Sequence, residues 1–382
     1  MKVDFYKHSI PLSSVKNLKK ILNSDIITYG KVGESVEKKI AKYLGVKNVI
    51  LTSSWTSGAI ITLLSLKLKK NDEVIIPSMT FSATANVVEI LGAKPVFVDV
   101  EKETLLANYN QIVKKINKKT RAIMPVHLYG NMFDTKKLNR YIKKKRLDIH
   151  IIEDSAHAFE SSIKGYRSGK WSTAAIFSFY ATKNITCGEG GAIATNDNEL
   201  AKKLKKLRSF GLSQTALEKY KSKKYNDVDM QDLGINAKLP DLLSFLLLPQ
   251  IRNINKNLLK RKKIYENYQL LLKNVNVDIP KISENCLSAF HIFVIAVKNN
   301  KRDEIINYLK KKKIGCSVHY KPVHQLTYYR KKYKLENQSF PISTKWGKNC
   351  ITLPFHLKLT LKDQYYVIKI LRKSLDEVKI FN

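Results

Sequence analysis

From residue 48 onward the chain alternates short apolar, β-branched runs with longer amphipathic ones, and this rhythm restricts the fold more than any other feature. Strands are predicted at Asn48–Leu51, Glu73–Pro77, Pro95–Val98, Ala122–Val126, His150–Glu153, Ala174–Phe179 and Gly191–Thr195. Between them the spacing predicts helices such as Ser57–Lys69, Ser82–Leu91 and Asp134–Lys145. Continuously apolar strands need cover on both faces, so the alternation predicts an α/β fold around a mostly parallel sheet. Ligands of such sheets bind at the carboxyl ends of the strands.

Around Pro240–Tyr268 the pattern becomes a long lysine-rich helix that reads as a connector. Beyond it come a strand at Ala289–Val297, a helix at Lys301–Lys312, short strands at Cys316–Tyr320 and Ile351–Pro354, and a last helix at Leu361–Leu375. A chain of 382 residues exceeds the usual single core. Two domains are expected: residues 1–255 as a large ligand-binding domain, and residues 256–382 as the linker helix with a small α/β domain.

Two of the predicted strand ends carry ionisable groups. Lys183 follows the apolar run 174–179 and precedes the glycine-rich turn Gly188-Glu189-Gly190-Gly191. Burial there disfavours the ammonium and lowers its pKa, which a Schiff-base lysine requires. Asp154 ends the run Ile151-Ile152-Glu153. A carboxylate and a lysine on neighbouring strand ends are the pair that pyridoxal phosphate needs, one for its ring nitrogen and one for its aldehyde. Ser53-Ser54-Trp55-Thr56-Ser57-Gly58 opens a helix after a strand, where hydroxyls and free N–H groups suit a phosphate. Each segment also has a plainer reading. The serines and threonine can be an ordinary N-cap, Phe81 a core residue, Asp154 a turn cap, His157 a structural histidine and Lys183 one more surface lysine. Their order and shared placement at strand ends favour a site.

The net charge is +37, with 59 lysines against ten arginines. Base-edge readers lean on the planar fork of arginine, and here lysines are spread over every predicted helix. They read as solvated helix faces that would steer anionic substrates, and no specific nucleic-acid partner is expected. Cys187, Cys286, Cys316 and Cys350 lie far apart without a C-x-x-C pair, so neither a zinc site nor a disulfide framework is expected. The N-terminal residues lack the apolar core of a signal peptide, and the apolar stretch 239–251 is too short to span a bilayer. A soluble, cytoplasmic protein is expected.

Thr80-Phe81-x-Ala83-Thr84, Glu153-Asp154-x-Ala156-His157-Ala158, Phe177-Ser178-Phe179, Lys183-Asn184-x-Thr186-x-Gly188-Glu189-Gly190-Gly191 and Pro354-Phe355 occur in order along nearly the whole chain. Together they resemble the DegT/DnrJ/EryC1/StrS sugar aminotransferases. The resemblance implies the fold-type I, aspartate-aminotransferase-like architecture and a homodimer with pyridoxal 5'-phosphate near the subunit interface. Lys183 would bind the cofactor aldehyde and Asp154 would pair with the ring nitrogen. His157 would sit near the ring face or its 3-hydroxyl, and Phe81 would stack on the ring. Thr56, Ser57 and Ser178 would hold the phosphate, joined by Asn236 of the other subunit. Tyr29, His319, Tyr320 and His324 are expected toward the substrates. Trp55 stands where the family commonly has glycine, and Ala237-Lys238 follow Asn236 where it usually has an aromatic residue and arginine.

The implied reaction moves an amino group from an amino acid, L-glutamate, to the keto carbon of a nucleotide-linked 4-keto- or 3-keto-6-deoxy sugar, for amino-sugar and glycan biosynthesis. A sugar dehydratase of the same fold would carry histidine in place of Lys183. A non-catalytic basic binding protein would have no need of Lys183, Asp154 and His157 together.

Overall fold

The computed structural model describes residues 1–11, 14–213, 227–298 and 300–380. Its central sheet has seven strands: β1 (Asn48–Thr52), β2 (Glu73–Pro77), β3 (Lys94–Val98), β4 (Thr120–Ile123), β5 (His150–Asp154), β7 (Ala174–Ser178) and β8 (Gly191–Thr195), with β6 (Ser162–Ile163) set apart. Their spatial order is β1-β8-β7-β5-β4-β2-β3. Neighbours run parallel except β8, which is antiparallel to both β1 and β7. The carboxyl ends of the six co-directional strands and the start of β8 therefore share one edge.

Alternate residues of each strand serve opposite cores. Ile50, Val74, Ile76, Ile152, Ile176 and Ile193 pack under the helices Trp55–Ser65, Ser82–Ile90 and Asn198–Leu207. On the other face Leu51, Ala175, Phe177 and Ala192 meet the helix Lys31–Leu44 through Val36 and Ile40. Ile75, Val98, Ile123 and Ile151 meet Leu138 and Ile142 of the helix Thr135–Lys144.

Past residue 253 a second, three-stranded sheet forms in the order β12-β11-β9, from β9 (Val277–Asp278), β11 (Phe293–Val297) and β12 (Cys350–Leu353). The short β10 (Cys286–Leu287) pairs with β6. Phe293, Ile295 and Val297 face a core shared with the helices Ile254–Leu271, Arg302–Lys311 and Leu361–Ile380. Ile292, Val294 and Ala296 turn toward the large sheet's core. The second sheet is thus packed on both sides and braced against the first.

Three sequence expectations differ from the structure. The connector is three helices, Asp241–Ser244, Leu247–Arg252 and Ile254–Leu271, instead of one. Pro249 sits in the first turn of the second, where a missing N–H is tolerated. The strand expected from Ala289 starts at Phe293, because the amides of Ala289 and His291 bond to the carbonyls of Gly130 and Tyr129. The strand expected at Cys316–Tyr320 reduces to one bridge between Ser317 and Thr352. The chain then leaves the sheet and brings His319 and Tyr320 to a cavity wall. No helix among the described residues is long and apolar enough to cross a membrane.

Candidate active site

A cavity of about 390 Å³ opens at the shared strand edge. Thr56 follows β1, Phe81 and Thr84 follow β2, Asp154 ends β5, Ser178 ends β7, and Lys183 and Gly190 precede β8. Residues far apart in sequence converge here because parallel strands put all their carboxyl ends on one side.

Asp154 is 5% exposed and held from two directions. Thr84 donates its hydroxyl to Oδ2 at 2.8 Å, and the Ala156 amide donates to Oδ1 at 3.2 Å. Burial raises the carboxyl pKa, while Thr84, Ala156 and the charge of Lys183 pull the other way. A cationic partner in the cavity would complete its neutralisation. Behind it, His127 and Glu153 form a fully buried pair at 2.6 Å. The Phe133 amide donates to His127 Nδ1, so Nε2 carries the proton toward Glu153. Sequence reading passed over Thr84 as a site residue, although it stands in the quoted Thr80–Thr84 segment.

Lys183 lies in the turn between β7 and β8 and lines the cavity. Thr186 fixes this turn by donating to the Phe179 carbonyl at 3.0 Å, and Gln250 clamps the Thr186 amide and carbonyl. Gly188 adopts φ 88°, a left-handed conformation suited to glycine. Burial pushes the lysine down to about 8, with Asp154 opposing the shift. The expected lowering of its pKa is therefore present, and its cause is desolvation.

The helix Trp55–Ser65 points its N-terminus at the same space. Ser54 and Ser57 form a reciprocal capping box, each hydroxyl taking the other's amide at 3.0 Å. Ser57 is thereby engaged in capping and does not line the cavity, whereas Thr56 and Ser178 do. A side chain at Gly191 would meet the Ser54 and Trp55 backbone at 2.5–2.7 Å, so glycine allows this helix end to sit directly on β8. Trp55 is buried and lines the cavity.

The aromatic wall comes from residues far apart in the sequence. Phe81 is 58% exposed, and its ring lies 5.8 Å from that of Tyr320. His157 accepts from the Tyr129 amide at Nδ1 (3.3 Å), so its Nε2 proton faces the Tyr320 hydroxyl at 3.0 Å. His319 bonds to Thr352 at 2.8 Å, and burial holds it down to about 4. His291, which sequence reading missed, packs its ring 4.4 Å from His157. Its only sequence signal is a histidine just before an apolar strand.

Two residues expected toward the substrates lie elsewhere, and Asn236 was expected to serve the other subunit's site. Tyr29 donates to Glu37 at 2.7 Å beneath the Arg208 guanidinium, in a buried structural network. His324 is buried against Phe340 and Thr344. Asn236 is exposed, bridging through its backbone to Ser209, and does not line this chain's cavity.

The donor set fits pyridoxal phosphate. A buried carboxylate and a half-buried lysine share the cavity, an open helix end with two hydroxyls offers an anion site, and an exposed ring offers a flat face. This architecture and site define a fold-type I, pyridoxal-phosphate-dependent transferase. The chain belongs to the DegT/DnrJ/EryC1/StrS aminotransferase family, whose model matches residues 10–372. Aminotransferases of this family depend on pyridoxal phosphate. An uncharacterized protein of Methanocaldococcus jannaschii, MJ1066, is 34% identical over 361 residues, 93% of each chain. Among solved structures, the putative sugar aminotransferase Spr1654 of Streptococcus pneumoniae, in its PMP form, superposes with a TM-score of 0.93 at 28% identity, covering 99% of this chain and 100% of that one. Helicobacter pylori PseC, an aminotransferase involved in pseudoaminic acid biosynthesis, gives 0.90 at 26% identity, with 99% and 100% covered.

Proposed function

We propose that this protein transfers an amino group from L-glutamate to the keto carbon of a nucleotide-linked 4-keto- or 3-keto-6-deoxy sugar, acting in the cytoplasm as a homodimer. The observation that carries this reading is the meeting of Lys183 and Asp154 in one cavity beside an open helix N-terminus. Membership of the family and its sugar-aminotransferase neighbours support a sugar as amino acceptor. The basic surface suits an anionic, nucleotide-linked substrate.

Pyridoxal phosphate, when bound, supplies an aldehyde that takes up the amine and a ring that draws off electron density. Asp154 would keep the ring nitrogen protonated, with Thr84 fixing the carboxylate's orientation. Lys183 would hold the aldehyde carbon, Phe81 would cover the ring, and His157 would stand near the ring face or 3-hydroxyl. Thr56 and Ser178, with the free amides of the Trp55–Ser65 helix, would hold the phosphate. Ser57 would act through its capping box, and Asn236 of the second subunit would complete the phosphate site. A lysine pKa of about 8 leaves a neutral fraction near physiological pH. Its Nζ would then take the proton from the donor's Cα and return it on the other side of the transfer. His319 and Tyr320 would face the substrates.

The test is incubation of the amino-loaded enzyme with a panel of nucleotide keto-sugars, reading products by mass. Conversion of a 3-keto or 4-keto nucleotide sugar to its amine is expected. Amination of simple keto acids alone would overturn the sugar assignment.

A further inference from the structure

The turn that carries Lys183 also carries Asn184, and Asn184 determines where the proton sits on a second imidazole of the cavity. Asn184 Nδ2 lies 2.8 Å from the Ala289 carbonyl oxygen and 3.0 Å from Glu160 Oε2. A carbonyl oxygen only accepts, so the amide nitrogen must face Ala289 whatever the protonation of Glu160. The amide oxygen is thereby turned toward His291, with Oδ1 3.0 Å from Nδ1. Arg261 donates to the main-chain carbonyl of Asn184 at 2.8 Å and pins the residue further.

An amide oxygen also only accepts, so the neutral His291 ring carries its proton on Nδ1 and keeps a lone pair on Nε2. This is the opposite tautomer to His157, whose Nδ1 accepts from Tyr129. His291 is buried and lines the cavity together with Lys183. Among the described residues its side chain makes no hydrogen bond other than that to Asn184.

We propose that His291 Nε2 is the hydrogen-bond acceptor that orients the free amine of Lys183 for proton transfer, a positioning role set by Asn184. This rests on Lys183 being the cofactor-bonded lysine of the reaction above. Burial, with the charges of Lys183 and Arg261 adding to it, holds His291 well below the ordinary histidine value. So weak a base accepts a hydrogen bond from the amine without removing its proton, leaving Lys183 to carry it.

Two substitutions separate this role from a structural one. His291→Asn places an amide near the Nδ1 position and can keep the bond to Asn184, but it removes the acceptor at Nε2. His291→Gln reaches the Nε2 position and gives up the bond to Asn184. Each holoenzyme is mixed in single turnover with the amino donor that the wild type accepts, carrying hydrogen or deuterium at Cα. The cofactor's visible band is followed.

His291→Asn should slow the conversion by roughly tenfold at unchanged donor affinity, with a larger isotope effect, because misaligned reacting groups raise the barrier. His291→Gln should stay within about threefold of wild type, since it restores an acceptor. An unaffected His291→Asn, or a His291→Gln slower than His291→Asn, would overturn the proposal. A wild type that no amino donor converts would instead overturn the reaction reading. Independently, 15N-histidine NMR of the wild-type holoenzyme should show His291 protonated at Nδ1, and protonation at Nε2 would refute it.

Discussion

Thr84 donates its hydroxyl to Asp154 Oδ2 across 2.8 Å, tying the helix after β2 to the end of β5. The bond counters the burial that raises the Asp154 pKa. Replacing Thr84 by Val keeps the shape and removes the donor, at about 1.5–3 kcal/mol for a hydrogen bond to a charged group. Cofactor affinity should fall by roughly 10- to 150-fold, measured by titrating apoprotein with pyridoxal phosphate. Asp154→Asn should cut turnover by about 10²-fold or more while the protein stays folded, because the ring nitrogen loses its anionic partner. Activity retained within a few-fold would make Asp154 a structural group.

Lys183→Ala should abolish turnover, since among the described residues no other lysine lines the cavity. Steady-state product formation and the visible spectrum with added cofactor check this together. Substantial amination by the variant would end the assignment of Lys183.

The depressed lysine pKa also has a sign in stability. In the apoprotein Lys183 titrates near 8, against an ordinary value of 10.5. Below pH 8 both folded and unfolded chains carry the charge, and its burial penalty is fully present. Between pH 8 and 10.5 the unfolded chain binds more protons, so the penalty fades as pH rises. Lys183→Met should therefore melt higher than wild-type apoprotein at pH 7, with the gap narrowing toward pH 10.5. A gap independent of pH would contradict the desolvated lysine.

If Asn236 serves the partner's site, each dimer carries two shared sites. Mixing Lys183→Ala with Asn236→Ala subunits should then recover part of the activity that neither variant has alone. A fully active monomer by light scattering would refute the shared site.

Raising salt tests the positive surface. Substrate steering predicts a higher KM for the nucleotide sugar with little change in kcat, because screening acts over about 8–10 Å and hardly reaches a closed cavity. Nucleic-acid binding should be weak and lost over the same range. Sequence-selective, salt-resistant binding would give the lysines a role of their own.

Strand periodicity was enough to place the large sheet. Glu73–Pro77 and Gly191–Thr195 match their sequence limits, because apolar runs with sharp polar borders can only lie in a covered sheet. Lys183 and Asp154 were legible for the same reason, as ionisable residues against such runs. Tertiary structure alone decided which partners they meet. Thr84 reaches Asp154, and Asn184 sets the His291 tautomer, across 70 and 107 residues of sequence. Tyr29 and His324 were drawn into other buried networks by Glu37 and Thr344. Local pattern reports whether a side chain is buried. Direction and hydrogen-bond polarity depend on groups that only the packed chain brings within 3 Å, and these the sequence does not order by distance.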